Sequence, residues 1–387
     1  MTSSISFLNR VALLVLLGGG IALPGCGSVS WSSLVHGGGQ ALPGAAESGP
    51  SETRTAPIAV FPFENLSGSR VDLKSIRASF IEALRQRGIP ILGEDALERF
   101  MVRNRVRYTA GIDARTAQAL KAQTGAEGVV MTSVEFSSEA IPPKIALTSR
   151  LVSTGDAPAI MWVDGVGLAG DDHPGILDLG QIRDAKALRA KALGALSASL
   201  AGQLSGPGKG HVERAAGKFR PKIAYLSPDL GAKKKYTVAV APFFNKSERR
   251  YAGEMLVLQF IRGLHGLGEF DVIEPGLVRQ AFLGLRIIMD QGVSLSDANA
   301  LFAVLDADLV LGGEVFDYQD YQGGYGTAKV HFTAQLIERK SQKVVWSSES
   351  YNRGDDGVFF FDLGKVTTAH VMTAGMVRSI GNILVKR

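Results

Sequence analysis

Cysteine is almost missing from this chain: Cys26 is the only one. That excludes an intramolecular disulfide framework and any paired-thiolate metal site. No run of 18 or more consecutive apolar residues occurs, so no transmembrane helix is expected. The signatures of common hydrolases are absent too, with no HExxH, no GxSxG and no Walker-type phosphate loop. Glycine is abundant, but Gly18-Gly19-Gly20 and Gly37-Gly38-Gly39 do not sit at a strand–helix junction, where a phosphate loop would lie. The expectation is a non-enzyme without a cofactor. Net charge is low as well, at +5 over 387 residues. The excess is local: residues 205–236 carry eight lysines and arginines against Glu213 and Asp229. The rest is near neutral, which argues against a nucleic-acid partner.

What is present begins at the N-terminus. Arg10 precedes an apolar run, Val11 to Leu23. At about 13 residues, the run has the length of a signal-peptide core and is too short to span a bilayer. It ends in Leu23-Pro24-Gly25-Cys26, which resembles a lipobox, with Pro24 an uncommon neighbour in that motif. The resemblance implies a diacylglycerol on the Cys26 thiol and a membrane partner through that lipid; the alternative is an ordinary signal peptide with an incidental cysteine. Residues 27–57 are rich in Gly, Ser, Ala and Pro and lack apolar periodicity, so they read as a flexible tether. Gly27, rather than Asp, after the cysteine favours the outer membrane under the enterobacterial sorting rule.

The body repeats itself. Ala59-Val60-Phe61-Pro62-Phe63-Glu64-Asn65-Leu66-Ser67 returns, 180 positions on, as Ala239-Val240-Ala241-Pro242-Phe243-Phe244-Asn245-Lys246-Ser247. Phe80-Ile81 and Leu84 return as Phe260-Ile261 and Leu264. Val134 matches Val315, Thr148 matches Thr333, Trp162 matches Trp346, and Gly170-Asp171-Asp172 matches Gly354-Asp355-Asp356, with little drift in spacing. Ordered matches of this kind mark a duplicated module of ordinary domain size. The segments expected are a signal peptide (1–25), a lipidated tether (26–56), a first module (57–204), a basic linker (205–236) and a second module (237–387), each module folding by itself.

Both copies read alike. A short buried strand stops at a Pro, and a helix follows whose apolar positions, Ile76, Phe80, Ile81 and Leu84, share one face. Asp113 and Ser294 are helix N-caps, the latter with Asp297 three residues on. Val330, Phe332, Ala334 and Leu336 alternate with polar residues, which is the period of a strand with one buried face. Another strand ends at each Trp, and a last helix covers 181–204 and 365–384. This order gives an α/β (α+β-like) fold, each module a mixed sheet with helices packed against it.

The run Asp308 to Val315, then Val330 to Leu336, then Lys343-Val344-Val345-Trp346, resembles the TolB amino-terminal-like and curli-secretion CsgG-like group. That group opens on an Ala-Val-x-Pro-Phe-x-Asn strand, and both copies follow its order. The resemblance implies a periplasm-facing lipoprotein that acts through protein contacts, often as a homo-oligomer; relatives include secretion-channel subunits and activators of peptidoglycan synthases. Two modules in one chain depart from the group's pattern and argue against a simple ring of single modules.

Two features remain as candidate sites. Asp171, Asp172 and Asp178 recur as Asp355, Asp356 and Asp362. Carboxylates so close together are able to hold Ca²⁺, but Gly-Asp turns and helix caps account for them as well. The loop from Phe316 to Gly326 is longer than its counterpart and holds Tyr318, Tyr321 and Tyr325 where the first copy has Ser137, Ser138 and Pro142-Pro143. Tyrosines in a glycine-containing loop suit a partner-binding surface, or else cover their own sheet. The reading is an outer-membrane, periplasm-facing adaptor that binds other envelope proteins. A secretion-channel subunit and a cation-dependent periplasmic enzyme are its rivals.

Overall fold

The computed structural model describes residues 56–172, 180–206, 218–228, 230, 235–289, 291–324, 326–358 and 364–385, which fall in one compact unit. The signal and tether lie outside these residues. The first sheet has the order β1 (Ile58–Val60), β3 (Gly128–Ser138), β4 (Lys144–Ser153), β5 (Ile160–Ala169), with β2 (Glu64–Asn65) beside β3. β1 runs parallel to β3, and the β3–β4–β5 meander is antiparallel. The second sheet repeats this plan with β7 (Tyr236–Val240), β10 (Leu309–Gln319), β11 (Lys329–Glu338) and β12 (Lys343–Arg353), with β8 (Phe244–Asn245) beside β10. It adds β9 (Phe270–Val272) at one edge and β6 (Ile223–Leu226) at the other.

The duplication extends to irregularities. β3 bulges at Glu135 and β10 at Phe316, the same position in each copy. A bulge places one unpaired residue in the strand and bends it, so both sheets curve at the same point.

Helices α1 (Leu73–Arg85), α2 (Glu94–Arg103), α3 (Ala114–Thr124) and α4 (Ala185–Ser205) belong to the first half. Their counterparts are α5 (Ala252–His265), α6 (Pro275–Leu285), α7 (Leu295–Val304) and α8 (Ala369–Val385). Asp113 caps α3 through the Thr116 N–H at 2.8 Å, and Ser294 with Asp297 forms a reciprocal capping box at α7, as the sequence predicts. The last helix of the first half is capped by Asp184; Asp178 and Asp362 lie outside the described residues.

The layers explain the burial. α1 and α4 cover one face of the first sheet through Ile76, Phe80, Leu193 and Leu196. The other face of that sheet receives α5 and α8, which also pack on the inner face of the second sheet. Phe61, Met131 and Val163 therefore share one core with Met255, Leu258, Phe332 and Trp346. α6 and α7 cover one end of the outer face of the second sheet.

The stretch expected as a linker is partly structural. Ile223-Ala224-Tyr225-Leu226, bounded by Pro221 and Pro228, pairs with β12 as an edge strand, and Phe219 is fully buried. A short apolar run between prolines suits a sheet edge, where one side of the ladder needs no partner.

Candidate functional site

Among the described residues, the seam between the halves holds most of the buried charged side chains. Glu135, at the bulge of β3, accepts from His370 Nδ1 on α8 at 2.8 Å and from Thr148 Oγ1 at 2.5 Å. The amide nitrogen of Gln259 on α5 lies 3.3 Å from both of its carboxylate oxygens. Burial by itself raises the Glu135 carboxyl; the charge of His370 and the hydrogen bonds from His370, Thr148 and Gln259 together outweigh it and hold the group below 4.5. Gly165 and Gly167 on β5 make this approach feasible. A Cβ at Gly165 would lie 2.9 Å from His370 Cε1, and one at Gly167 2.9 Å from Thr368 Oγ1.

A second ion pair crosses the seam at its other end. Arg150 on β4 and Glu274, the N-cap of α6, are 1% and 0% exposed and meet at 3.1 and 3.2 Å. Glu274 also accepts from the Ile112 N–H, and Arg150 donates to the Ala110 carbonyl. Together they hold the 110–112 loop of the first half against the start of α6. A third pair, Arg262–Asp164 at 3.1 Å, closes the β5 edge.

Of the tyrosines expected as a contact surface, Tyr318 turns inward. Tyr318 is 1% exposed, within the shared core, and burial next to Glu135 and Asp320 pushes its hydroxyl well above the usual value. It sits on β10 before the loop proper, and the inward face of that strand carries it into the core. Tyr321 is partly covered; its hydroxyl donates to Gln319 and its carbonyl accepts from Lys144 of the first half at 2.9 Å. Gly323 and Gly324 lie against Ile141 and Pro142. The loop thus meets its own counterpart across the seam. Tyr325 lies outside the described residues, as does Cys26.

The aspartate pairs form matching turns. Asp172 accepts from the Ala169 N–H at 2.7 Å, and Asp356 from the Arg353 N–H at 2.9 Å. The carbonyls of Gly170 and Gly354 accept from the Ile182 and Val366 N–H groups, in the chain returning towards α4 and α8. In each copy a lysine lies near the pair. Asp171, Asp172 and Asp320 offset the burial that lowers Lys144, and Asp355 and Asp356 do so for Lys218. Asp355 also pairs with Arg353. Among the described residues, no cluster of three His, Cys, Asp or Glu stands ready for a metal.

Apart from Phe316, the sequence did not single out the open end of the outer face of the second sheet. Phe316, His331 and Tyr351 form an aromatic row across β10, β11 and β12, with centroids 4.8 and 5.4 Å apart. Lys246 extends it by lying over both Phe316 and Phe244. β6 continues the same face, since Tyr225 pairs with Ser347 and Ile223 with Glu349. Phe316, Tyr351, Tyr225 and Ile223 are 37%, 41%, 51% and 64% exposed. In the first half the equivalent positions lie under α5 and α8. Phe316 replaces Glu135, and Glu349 and Tyr351 replace Gly165 and Gly167, so the two faces are built for different occupants.

The chain matches no family model and no curated protein. It has distant similarity in structure to several solved proteins. Against the PelC dodecamer subunit from Paraburkholderia phytofirmans it is 18% identical, with a TM-score of 0.28 over 41% of this chain and 92% of that one. Against the LpoB C-terminal domain from Salmonella enterica it is 15% identical, with a TM-score of 0.25 over 32% and 86%. Against lipoprotein GNA1162 from Neisseria meningitidis it is 16% identical, with a TM-score of 0.28 over 39% and 99%. At these scores none bears on what the chain does. Neither a TolB-type nor a curli-secretion protein stands among these neighbours, so that resemblance rests on the sequence motifs alone.

Proposed function

We propose that this chain is a lipid-anchored adaptor of the bacterial envelope, tethered to the outer membrane through Cys26, that holds another envelope protein on the open face of its second sheet. The observation that supports this reading is the exposed aromatic row Phe316–His331–Tyr351 with Tyr225 and Ile223 beside it. Exposed apolar area of this kind, rimmed by charge, is characteristic of interaction surfaces. Aromatic residues dominate the energetics of such interfaces. Glu314, paired with Lys246, and Glu349, paired with His331, flank the row together with Asp317, so the partner surface is apolar with a polar border of mixed charge. Among the described residues no helix is long and apolar enough to cross a membrane, so the reading places attachment in the lipid. It assigns no catalytic residue.

A photo-crosslinking residue placed at Tyr351 in cells tests it. The expected result is one discrete adduct in the outer-membrane fraction, lost when Phe316→Ser and Tyr225→Ser are added and released from that fraction by Cys26→Ala. An adduct unaffected by the serine substitutions, or none at all, would overturn the reading of this face; continued membrane fractionation of Cys26→Ala would overturn the anchor.

A further inference from the structure

A cleft of about 640 Å³ opens where the two halves meet, on the side opposite the tyrosine loop along β4. Its wall comes from the end of α2 and the loop after it (Arg103, Arg105), the first turn of α3 (Arg115) and α6 of the second half (Arg279). Its floor is the contact of Gly111 with Gly276, where a Cβ on either residue would fall within 2.7 Å of backbone. That floor is fixed by the buried Arg150–Glu274 pair, which anchors the 110–112 loop and caps α6. The cleft is therefore a preformed feature of the assembled halves.

The charge in it is one-sided. Four arginines line it and a single acid, Asp113, whose two carboxylate oxygens are engaged by the Thr116 N–H and hydroxyl. Arg279 stacks on the Tyr108 ring at 4.5 Å, which orients its guanidinium while leaving its N–H edge free to donate. Asn104, Thr116 and Gln280 add neutral polar groups. Like charges lining one cavity give it a positive potential, which favours an anionic occupant. Guanidinium forks match the oxygens of a phosphate group in pairs. Volume and lining suit a ligand of headgroup size, not a polymer groove.

We propose that this cleft binds a phosphorylated ligand, with Arg115 and Arg279, one from each half, gripping the phosphate oxygens and Arg103 and Arg105 supplying the outer rim. Both halves are needed, so occupancy of the cleft ties them together. The phosphate group is the recognised chemistry, whether borne by a lipid or free in solution.

The test uses the full chain in nonionic detergent, titrated calorimetrically with inorganic pyrophosphate, with citrate, and with micelles doped with phosphatidic acid. Saturable binding of pyrophosphate points to a soluble ligand, and binding of phosphatidic acid alone to a lipid-borne one; either supports the proposal. In both cases affinity should fall steeply with added salt. Arg115→Gln with Arg279→Gln should weaken binding at least tenfold. Where that variant melts early because Tyr108 loses its stacked partner, Arg103→Gln with Arg105→Gln at the exposed rim should weaken it at least threefold with the melt unchanged. No binding of either phosphate probe, affinity untouched by both variants, or citrate bound as tightly as pyrophosphate would overturn it.

Discussion

Glu135 shows what a single residue does to this protein. Its counterpart is Phe316, so one bulge position carries a buried carboxylate in one copy and an exposed ring in the other. The carboxylate is tolerated because His370, Thr148 and Gln259 satisfy it. Removing one partner from a buried ion pair costs about 3–5 kcal/mol, far more than the pair contributes net. Its folded pKa is depressed, so the stability it adds is present above the unfolded value of 4.5 and is lost as pH falls through the lower folded value. Asp320 and Glu64 run the opposite way: burial raises both, so they favour the folded state on protonation and blunt the acid limb. We expect the melting temperature to fall on acidification below pH 4.5. Glu135→Gln should be less stable at neutral pH yet show a shallower acid slope, read by calorimetry across a pH series. A mutant slope as steep as the parent's would remove Glu135 from this account. Little of this was visible in the sequence. Strand periodicity marks Glu135 and Arg150 only as charges interrupting apolar strands, and periodicity carries no information on which distant helix supplies the counter-charge.

Among the elements, the strands and helices were legible because their signals are local. The alternation of Val330 to Leu336, the apolar face of α1 and the caps at Asp113 and Ser294 all depend on neighbours within a turn or a strand. The misread elements depend on distant contacts. β6 looks like linker until β12 provides an edge for it, and Gly323 looks like a free loop tip until the Ile141-Pro142 segment lies against it. α6 offers a test within one element, since it holds two glycines of opposite character. A Cβ at Gly276 would sit 2.3 Å from the Ile112 nitrogen, in backbone that has no room to yield, whereas one at Gly284 meets nothing within 4 Å. Gly276→Ala should therefore destabilise the chain by roughly 2 kcal/mol through overpacking. Gly284→Ala should stabilise it by up to about 1 kcal/mol through helix propensity. Thermal melts of both variants check the sign; two shifts of the same sign would mean that the Gly111–Gly276 contact is not what sets the approach of the halves.

At the scale of the whole molecule, the duplication gives one body rather than two beads. The repeat was plain in the sequence, and it suggested modules that fold independently. What the repeat could not show is that α5 and α8 serve two sheets at once. Leu258 and Gln259 are buried where their counterparts Ala78 and Ser79 on α1 are not, because α5 has a sheet on either side and α1 has one. The small residues on α1 and the larger ones on α5 record that difference, but only once the packing is known. The consequence is energetic. A first half by itself would leave Phe61, Met131 and Val163 without the apolar surface of the second, and Arg150 without Glu274. Each large apolar side chain uncovered costs roughly 1.5–3 kcal/mol. The intact chain should therefore unfold in a single calorimetric transition. Residues 57–206 and 218–387, made as separate chains and mixed, should associate one to one, with the first half melting at a higher temperature in the mixture than alone. Two separated transitions in the intact chain, together with halves that ignore each other in sedimentation, would mean that the seam is a contact and not a core.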